Sequence, residues 1–292
     1  MKKRRLQQNT VGLITAADVR KASVTNSVEI GLPFSIVVTA GVSNATAAGD
    51  DPRRFQEKAG TINIIILLDF NPTDACLIEI VKTVTEAKAV ALRELDILSR
   101  ASNRVATGTS TDTVTVASTC RGKIVNYAGT ATALGRALSR RVIEAVKEAI
   151  RKQDGIRQDR PLRQRLEERG ITSNMLIKAV RERLPGKSSS KTRRHLLHQA
   201  RASVQKALHS VDTASTILAS LKICEDAVTS QAFLRVARGL GASVAYLIGG
   251  EAGRSQFQKI CSNWKQSSYN LVVEGIVSGV IGAALEGAQP SI

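Results

Sequence analysis

The segment Thr107-Gly-Thr-Ser-Thr-Asp112 packs four hydroxyls and a carboxylate into six residues. Such a loop can hydrogen-bond a polar substrate through Thr107 and Thr109 and offer Asp112 as a base. As a bare turn it needs no ligand at all. Ser43-Asn44 lies in a Gly-containing turn after an apolar run. There Ser43 can act as a nucleophile and Asn44 as a donor to a developing oxyanion, or the pair can simply stabilise the turn. Lys88 falls on the apolar stripe of a helical stretch, among Leu77, Val81, Val84, Ala91 and Leu95. Desolvation there would favour its neutral, basic form, whereas a place at the edge of the stripe would let it snorkel to water. Glu86 lies two steps of about 100° away on the same helix, so it is read on a different face, either as an alternative water-activating base or as a solvated carboxylate.

His195, His198 and His209 all lie beyond residue 194, so residues 1–150 hold no Ser-His-Asp or Cys-His arrangement. That leaves hydroxyl, carboxylate and lysine chemistry. His195 and His198, at i and i+3, suit either a two-histidine metal site or a solvated helix face, and no metal site is expected.

These groups need a frame. Val11–Ala17, Phe34–Thr39 and Thr113–Ala117 read as strands, as does Thr61–Leu68, which is apolar at nearly every position and so expected to be buried on both faces. Asn71 is the expected N-cap of a helix over 72–96, with Pro72 at its first position and Asp74 in its first turn. Glu79, Lys82, Glu86 and Arg93 mark the polar side of that helix. Asp69 and Asn71, at the carboxyl end of the third strand, stand where ligands bind in open α/β sheets. A second helix, over 130–152, carries the stripe Leu134, Leu138, Val142, Ala145 and Ala149. Strand signals stop after residue 150. Leu166–Leu184 reads as helix, Lys187–Arg194 as a flexible loop, and 195–285 as helical with Gly-rich interruptions at 239–241 and 249–253.

The expected fold is therefore an α/β or α+β layered N-terminal domain over 1–152, a basic linker over 153–165, and an all-α C-terminal domain over 166–292. Aromatic residues are only 3% of the chain, so Ala, Val, Ile and Leu must fill both cores. The net charge of +17 is concentrated: residues 151–208 carry 16 Lys and Arg against 5 Asp and Glu. A basic surface explains this, and so does a phosphate-rich partner. Zinc-finger spacing is missing and aromatics are too few for base stacking, so no specific nucleic acid is expected. The cysteines Cys76, Cys120, Cys224 and Cys261 form no CxxC pair and are read as free thiols. No secretory core follows the basic start, and the most apolar stretch, Leu271–Ala288, is broken by Glu274 and Glu286. A cytoplasmic chain without membrane contact is expected. Homo-oligomer formation is left open.

Several runs in the first domain form a recognisable series. They are Val11-Gly-Leu-Ile-Thr-Ala-Ala-Asp-Val19, Thr39-Ala-Gly-Val-Ser-Asn-Ala45 with Gly49-Asp50, and Gly60-Thr-Ile-Asn-Ile-Ile-Ile-Leu-Leu-Asp69. Further on come Thr85-Glu-Ala-Lys-Ala89, Ala106-Thr-Gly-Thr-Ser-Thr-Asp112, and Tyr127-Ala-Gly-Thr130 ahead of Gly135. In this order they resemble the adenosylcobinamide amidohydrolase family. The resemblance implies hydrolysis of the amide between the corrin ring's propionyl arm and aminopropanol. It makes an adenosylated corrinoid the substrate and implies no cofactor. It adds Asp18 and Asn63 as site candidates. Family members carry some tens of residues ahead of Val-Gly-Leu-Ile-Thr-Ala, which begins here at residue 11, so an open sheet edge is expected.

In the second domain, Arg169-Gly-Ile-Thr172, Leu240 to Gly253 and Val273 to Gly279 are similar to the archaeal α-ribazole phosphatases, themselves related to phosphatidylglycerophosphatase A. That family's acidic pairs are replaced by Ala237-Arg238 and Glu274-Gly275. Without carboxylates to hold a divalent metal, the resemblance implies a degenerate relative with a structural or regulatory role.

Overall fold

The computed structural model describes residues 10–51, 60–183, 190–225, 231–261 and 268–286. The chain divides into two compact units, Met1–Asp159 and Arg160–Ile292. The division falls inside the segment read as a linker. Its first residues close a helix and its last residues open another.

The first unit is built on a four-stranded sheet of β1 (Ser23–Glu29), β2 (Leu32–Ala40), β4 (Ile62–Leu68) and β7 (Thr113–Ser118), in that order. β2 pairs antiparallel with both β1 and β4, and β7 runs parallel to β4. Two short ladders accompany it: β3 (Ala45–Thr46) with β6 (Gly108–Thr109), and β5 (Asn71–Pro72) with β8 (Ile124–Val125). Helix α1 (Asp74–Glu94) connects β4 towards β7, and α2 (Ala133–Asp154) follows β8. α2 packs on β1 and β2, α1 packs on β7, and the two helices pack on each other.

One face of the sheet carries the core. Ile62, Ile64 and Ile66 are fully buried, as are Ile36 and Val38 of β2. Truncating one of these isoleucines to Ala would cost about 2–5 kcal/mol in lost transfer energy plus a cavity. The other face is open, with Leu67 45% exposed, so β4 is buried on one side and not on both. Its continuous apolar run arises because Ile65 and Leu67 belong to the uncovered face.

Val11–Ala17 is not a strand. It runs irregularly into a short 3-10 turn, Val19–Lys21, capped by Asp18. Asn71 is not the cap of α1. Asn71 and Pro72 pair with Ile124 and Val125, and Thr73 caps the helix by accepting from the Cys76 amide at 3.3 Å. The buried stripe of α1 is Cys76, Ile80, Thr83, Val84, Ala87, Lys88, Ala91 and Leu92. Leu77 is only half-buried and Val81 is exposed, so the stripe is rotated relative to expectation. The α2 stripe lies where its spacing places it, and all five of its residues are buried.

The second unit is helical throughout its described residues: α3 (Leu162–Glu168), α4 (Ser173–Arg183), α5 (Ser190–His209), α6 (Val211–Glu225), α7 (Gln231–Cys261) and α8 (Ser268–Glu286). The stretch read as one helix over 166–184 is two, parted at Gly170, whose positive φ of 78° ends α3. Ser190–Arg194 are helical and not loop, whereas 187–189 lie outside the described residues. α7 continues through 239–241 and bends at Gly249-Gly250, where Gly250 takes φ 55°. Among the described residues, no helix is long and apolar enough to cross a membrane.

Candidate active site

The reactive residues gather at the N-terminal ends of β4 and β7. β4 and β7 are parallel and α1 returns between them, so the C-terminal half of α1 comes back to the edge where both strands begin. There Lys88, 7% exposed, forms an ion pair with Asp112 at 2.5 Å. Each Asp112 oxygen accepts a second bond or more. Oδ1 takes the Ile62 amide at 3.0 Å and the Thr109 hydroxyl, and Oδ2 takes the Thr109 amide at 3.0 Å as well as Lys88. A carboxylate gripped by three further donors is fixed in place and in turn fixes the Lys88 amine against it. The geometry therefore makes Lys88 a hydrogen-bond donor and Asp112 the group that positions it.

The pair lies against bare backbone. A Cβ at Gly108 would run into the Asp112 carboxylate and stand 2.9 Å from Lys88 Nζ. Glycine is needed here for close approach.

Two clefts open around this cluster. The first, of about 520 Å³, is walled by Glu86, Lys88, Thr107, Thr109, Ser110 and Asp112, with Thr46–Ala48 opposite. The second, of about 680 Å³, is walled by Gly12–Ala16, Asn44, Gly60, Thr61 and the 110–113 loop. Ser110 lines both. Its hydroxyl accepts from Asn44 Nδ2 at 2.9 Å, and the same amide group donates to the Gly60 carbonyl at 2.8 Å. Asn44 Oδ1 is buried without a hydrogen-bond partner among the described residues.

Other residues shape the walls. Asn63, buried in β4, donates to the Ile14 carbonyl at 2.9 Å and so ties the irregular 12–16 segment into the second cleft. Thr107 accepts from the Ala48 amide at 2.9 Å. Asp50 holds the 47–50 turn by accepting from the Ala47 amide and the Ser99 hydroxyl. Burial pushes its carboxyl up, but hydrogen bonds from Ser102, Ser99 and Ala47 and the charge of Arg104 outweigh it and hold it below the usual value.

Of the residues singled out from sequence, Glu86, Lys88, Thr107, Thr109 and Asp112 thus share one cleft, and Asn44 lines the next. Glu86 and Lys88 reach the same cleft despite their angular separation, because Thr85 and Ala89 between them also face it. Ser43 sits in the turn before β3 and lines neither cleft. Asp18 turns its carboxylate back on Arg20 at 2.8 Å, and that hydrogen-bonded guanidinium lowers its pKa to about 2. Asp69 lies at the opposite end of β4, accepting from Thr119 at 3.0 Å. The cluster therefore forms at the amino ends of the parallel strands and not at their carboxyl ends. Ser110 was legible only as one hydroxyl among four. The contact that distinguishes it spans 66 residues. The Tyr127–Thr130 run is structural: Glu79 accepts from the Ala128 and Gly129 amides at 2.6 and 2.9 Å, fixing the turn ahead of α2. His195 and His198 are exposed on α5.

The family model for adenosylcobinamide amidohydrolase matches residues 1–158. The chain belongs to this family. An adenosylcobinamide amidohydrolase of Methanosarcina mazei is 30% identical over 154 residues, which is 50% of this chain and 68% of that one. One from Halobacterium salinarum is 32% identical over 133 residues, 44% of this chain and 54% of that one. An uncharacterized protein of Methanocaldococcus jannaschii is 39% identical over 103 residues, 35% of this chain and 40% of its own length. No solved structure matches. The amidohydrolase family match ends at residue 158, one residue short of the boundary of the first structural unit.

Proposed function

We propose that this adenosylcobinamide amidohydrolase family member hydrolyses the aminopropanol amide of adenosylcobinamide, giving adenosylcobyric acid and free aminopropanol. The observation that carries the reading is the convergence of Glu86, Lys88, Ser110 and Asp112 on one cleft. Amide hydrolysis needs a base for water, a donor for the oxyanion and a proton for the leaving amine. Glu86 takes a proton from a water molecule, which attacks the amide carbon. Lys88, held in place by Asp112, donates to the carbonyl oxygen as it becomes an oxyanion. The C–N bond then breaks, and the proton held by Glu86 passes to the departing nitrogen.

The second cleft suits the body of the ring. A corrinoid bears several peripheral carboxamides, and the exposed Ser110 and Thr111 hydroxyls along this cleft can hydrogen-bond them. Ser110, between the clefts, holds the substrate across the junction. The bond from Asn44 to Ser110 also favours a second reading, in which Ser110 is the nucleophile. Its replacement by Ala separates the two: about tenfold loss for a holding role, and a loss on the order of a thousandfold for covalent catalysis.

The test is incubation of the full chain with adenosylcobinamide in the dark, with chromatography for adenosylcobyric acid. Product that disappears with Glu86→Gln supports the reading. Folded protein that binds the corrinoid without turning it over would replace it with a binding role.

A further inference from the structure

The basic central segment finds no use in that chemistry. Within the second unit, α4 and α5 border a groove of about 460 Å³. Lys178 and Arg181 of α4 and Arg201 of α5 line it, and no carboxylate does. α5 contains no acidic residue along its whole length. Four cations of this unit are paired: Arg160 with Glu168, Arg163 with Glu167, Arg183 with Glu274, Arg254 with Glu251. Lys178, Arg181 and Arg201 have no ion pair among the described residues. Three like charges in one concavity repel one another, and a bound anion relieves that cost.

The groove is not uniformly polar. Ile177 and Val204 line it too, with Val204 buried. Asn174 and Gln205 add hydrogen-bonding groups at the rim. Its volume falls within the range of small-molecule sites, roughly 300–1,000 Å³. A nucleic acid asks for cations strung along a backbone and aromatic faces for bases, and no aromatic residue lines this groove.

We propose that the α4/α5 groove binds a small phosphate ester: a dianionic phosphoryl group held by Lys178, Arg181 and Arg201, with an apolar substituent against Ile177 and Val204. Arginine forks match phosphate oxygens in pairs, which favours phosphate over a single carboxylate. The groove shares no lining residue with the amidohydrolase clefts and does not depend on the reading given to them.

Calorimetric titration of the full chain with phenyl phosphate tests this, beside inorganic phosphate and a short DNA duplex. Saturable one-to-one binding of phenyl phosphate is expected, tighter than inorganic phosphate by about tenfold for the added apolar area. The exposed substitutions Arg181→Ala and Arg201→Ala should each weaken it at least about tenfold. Arg254→Ala, which removes one paired charge from α7, should leave it unchanged. The proposal is overturned by absent saturation, by equal weakening in the Arg254 variant, or by duplex DNA binding more tightly with a steep salt dependence.

Discussion

Lys88 and Asp112 meet at 2.5 Å, with their side chains 9% and 10% exposed, across a sequence separation of 24 residues. Neither lies at the surface, and each is the other's only ion-pair partner among the described residues. Removing one strands the other. Lys88→Met should destabilise the protein by about 3 kcal/mol, at the lower end for a broken buried pair because Asp112 keeps its Thr109 and Ile62 donors. Turnover should fall by about 10²–10³, the usual loss for an oxyanion donor. A double-mutant cycle with Asp112→Asn, read by denaturant unfolding, should give a coupling on the order of 1–3 kcal/mol. Additive single effects would remove the pair from the account.

Gly108→Ala places a methyl group where the Asp112 carboxylate lies and 2.9 Å from Lys88 Nζ. Overpacking of this kind costs about 1–3 kcal/mol. Because it displaces the donor and not the ring-binding cleft, kcat should fall while KM stays near its original value. A rise in KM alone, in steady-state kinetics, would contradict this.

Asn63→Ala should act on the second cleft. It frees the Ile14 carbonyl and the 12–16 wall. Loss of one buried side-chain hydrogen bond costs about 1 kcal/mol. KM for the corrinoid should rise several-fold, and hydrogen exchange at residues 12–16 should accelerate. Unchanged exchange there would show that Asn63 does not hold the wall.

Glu274 sets a pH dependence in the second unit. It is 3% exposed, and burial pushes its carboxyl above the ordinary value of 4.5 against the pull of Arg183 at 2.7 Å. The folded state therefore binds this proton more tightly than the unfolded chain does. The resulting stability is complete below the unfolded value and is lost as pH rises through the folded one. Relative to Glu274→Gln, the original chain should lose thermal stability as pH rises from the ordinary carboxyl value of 4.5 upward. A difference in Tm that stays constant over that range would refute the assignment.

Much of the frame is readable along the chain. The stripe of α2 recurs at helical steps and is buried where the spacing puts it. β4 announces itself by its β-branched run. β1 does not, because its valines Val24 and Val28 point to the uncovered face, 62% and 71% exposed, so alternation gives no inward pattern. Ile30-Gly31, both with positive φ, closes the β1–β2 hairpin although a β-branched residue is unfavourable there. The cap of α1 was displaced from Asn71 to Thr73 because pairing with Ile124 and Val125 claims Asn71 and Pro72 for a ladder.

The sequence by itself determined β2, β4, β7, α1 and α2 of the first unit, the helical character of the second, the family, and the residue types available for chemistry. These follow from local periodicity and from short runs of residues. The tertiary structure alone decided which of those residues meet. Asp112 reaches Lys88 across 24 positions, Asn63 reaches Ile14 across 49, and Asn44 reaches Ser110 across 66. It also set the cluster at the amino ends of β4 and β7 and left Asp69 at the far end of its strand. The physical reason is that local propensity acts over a few residues, whereas a buried carboxylate must find its donors wherever packing brings them.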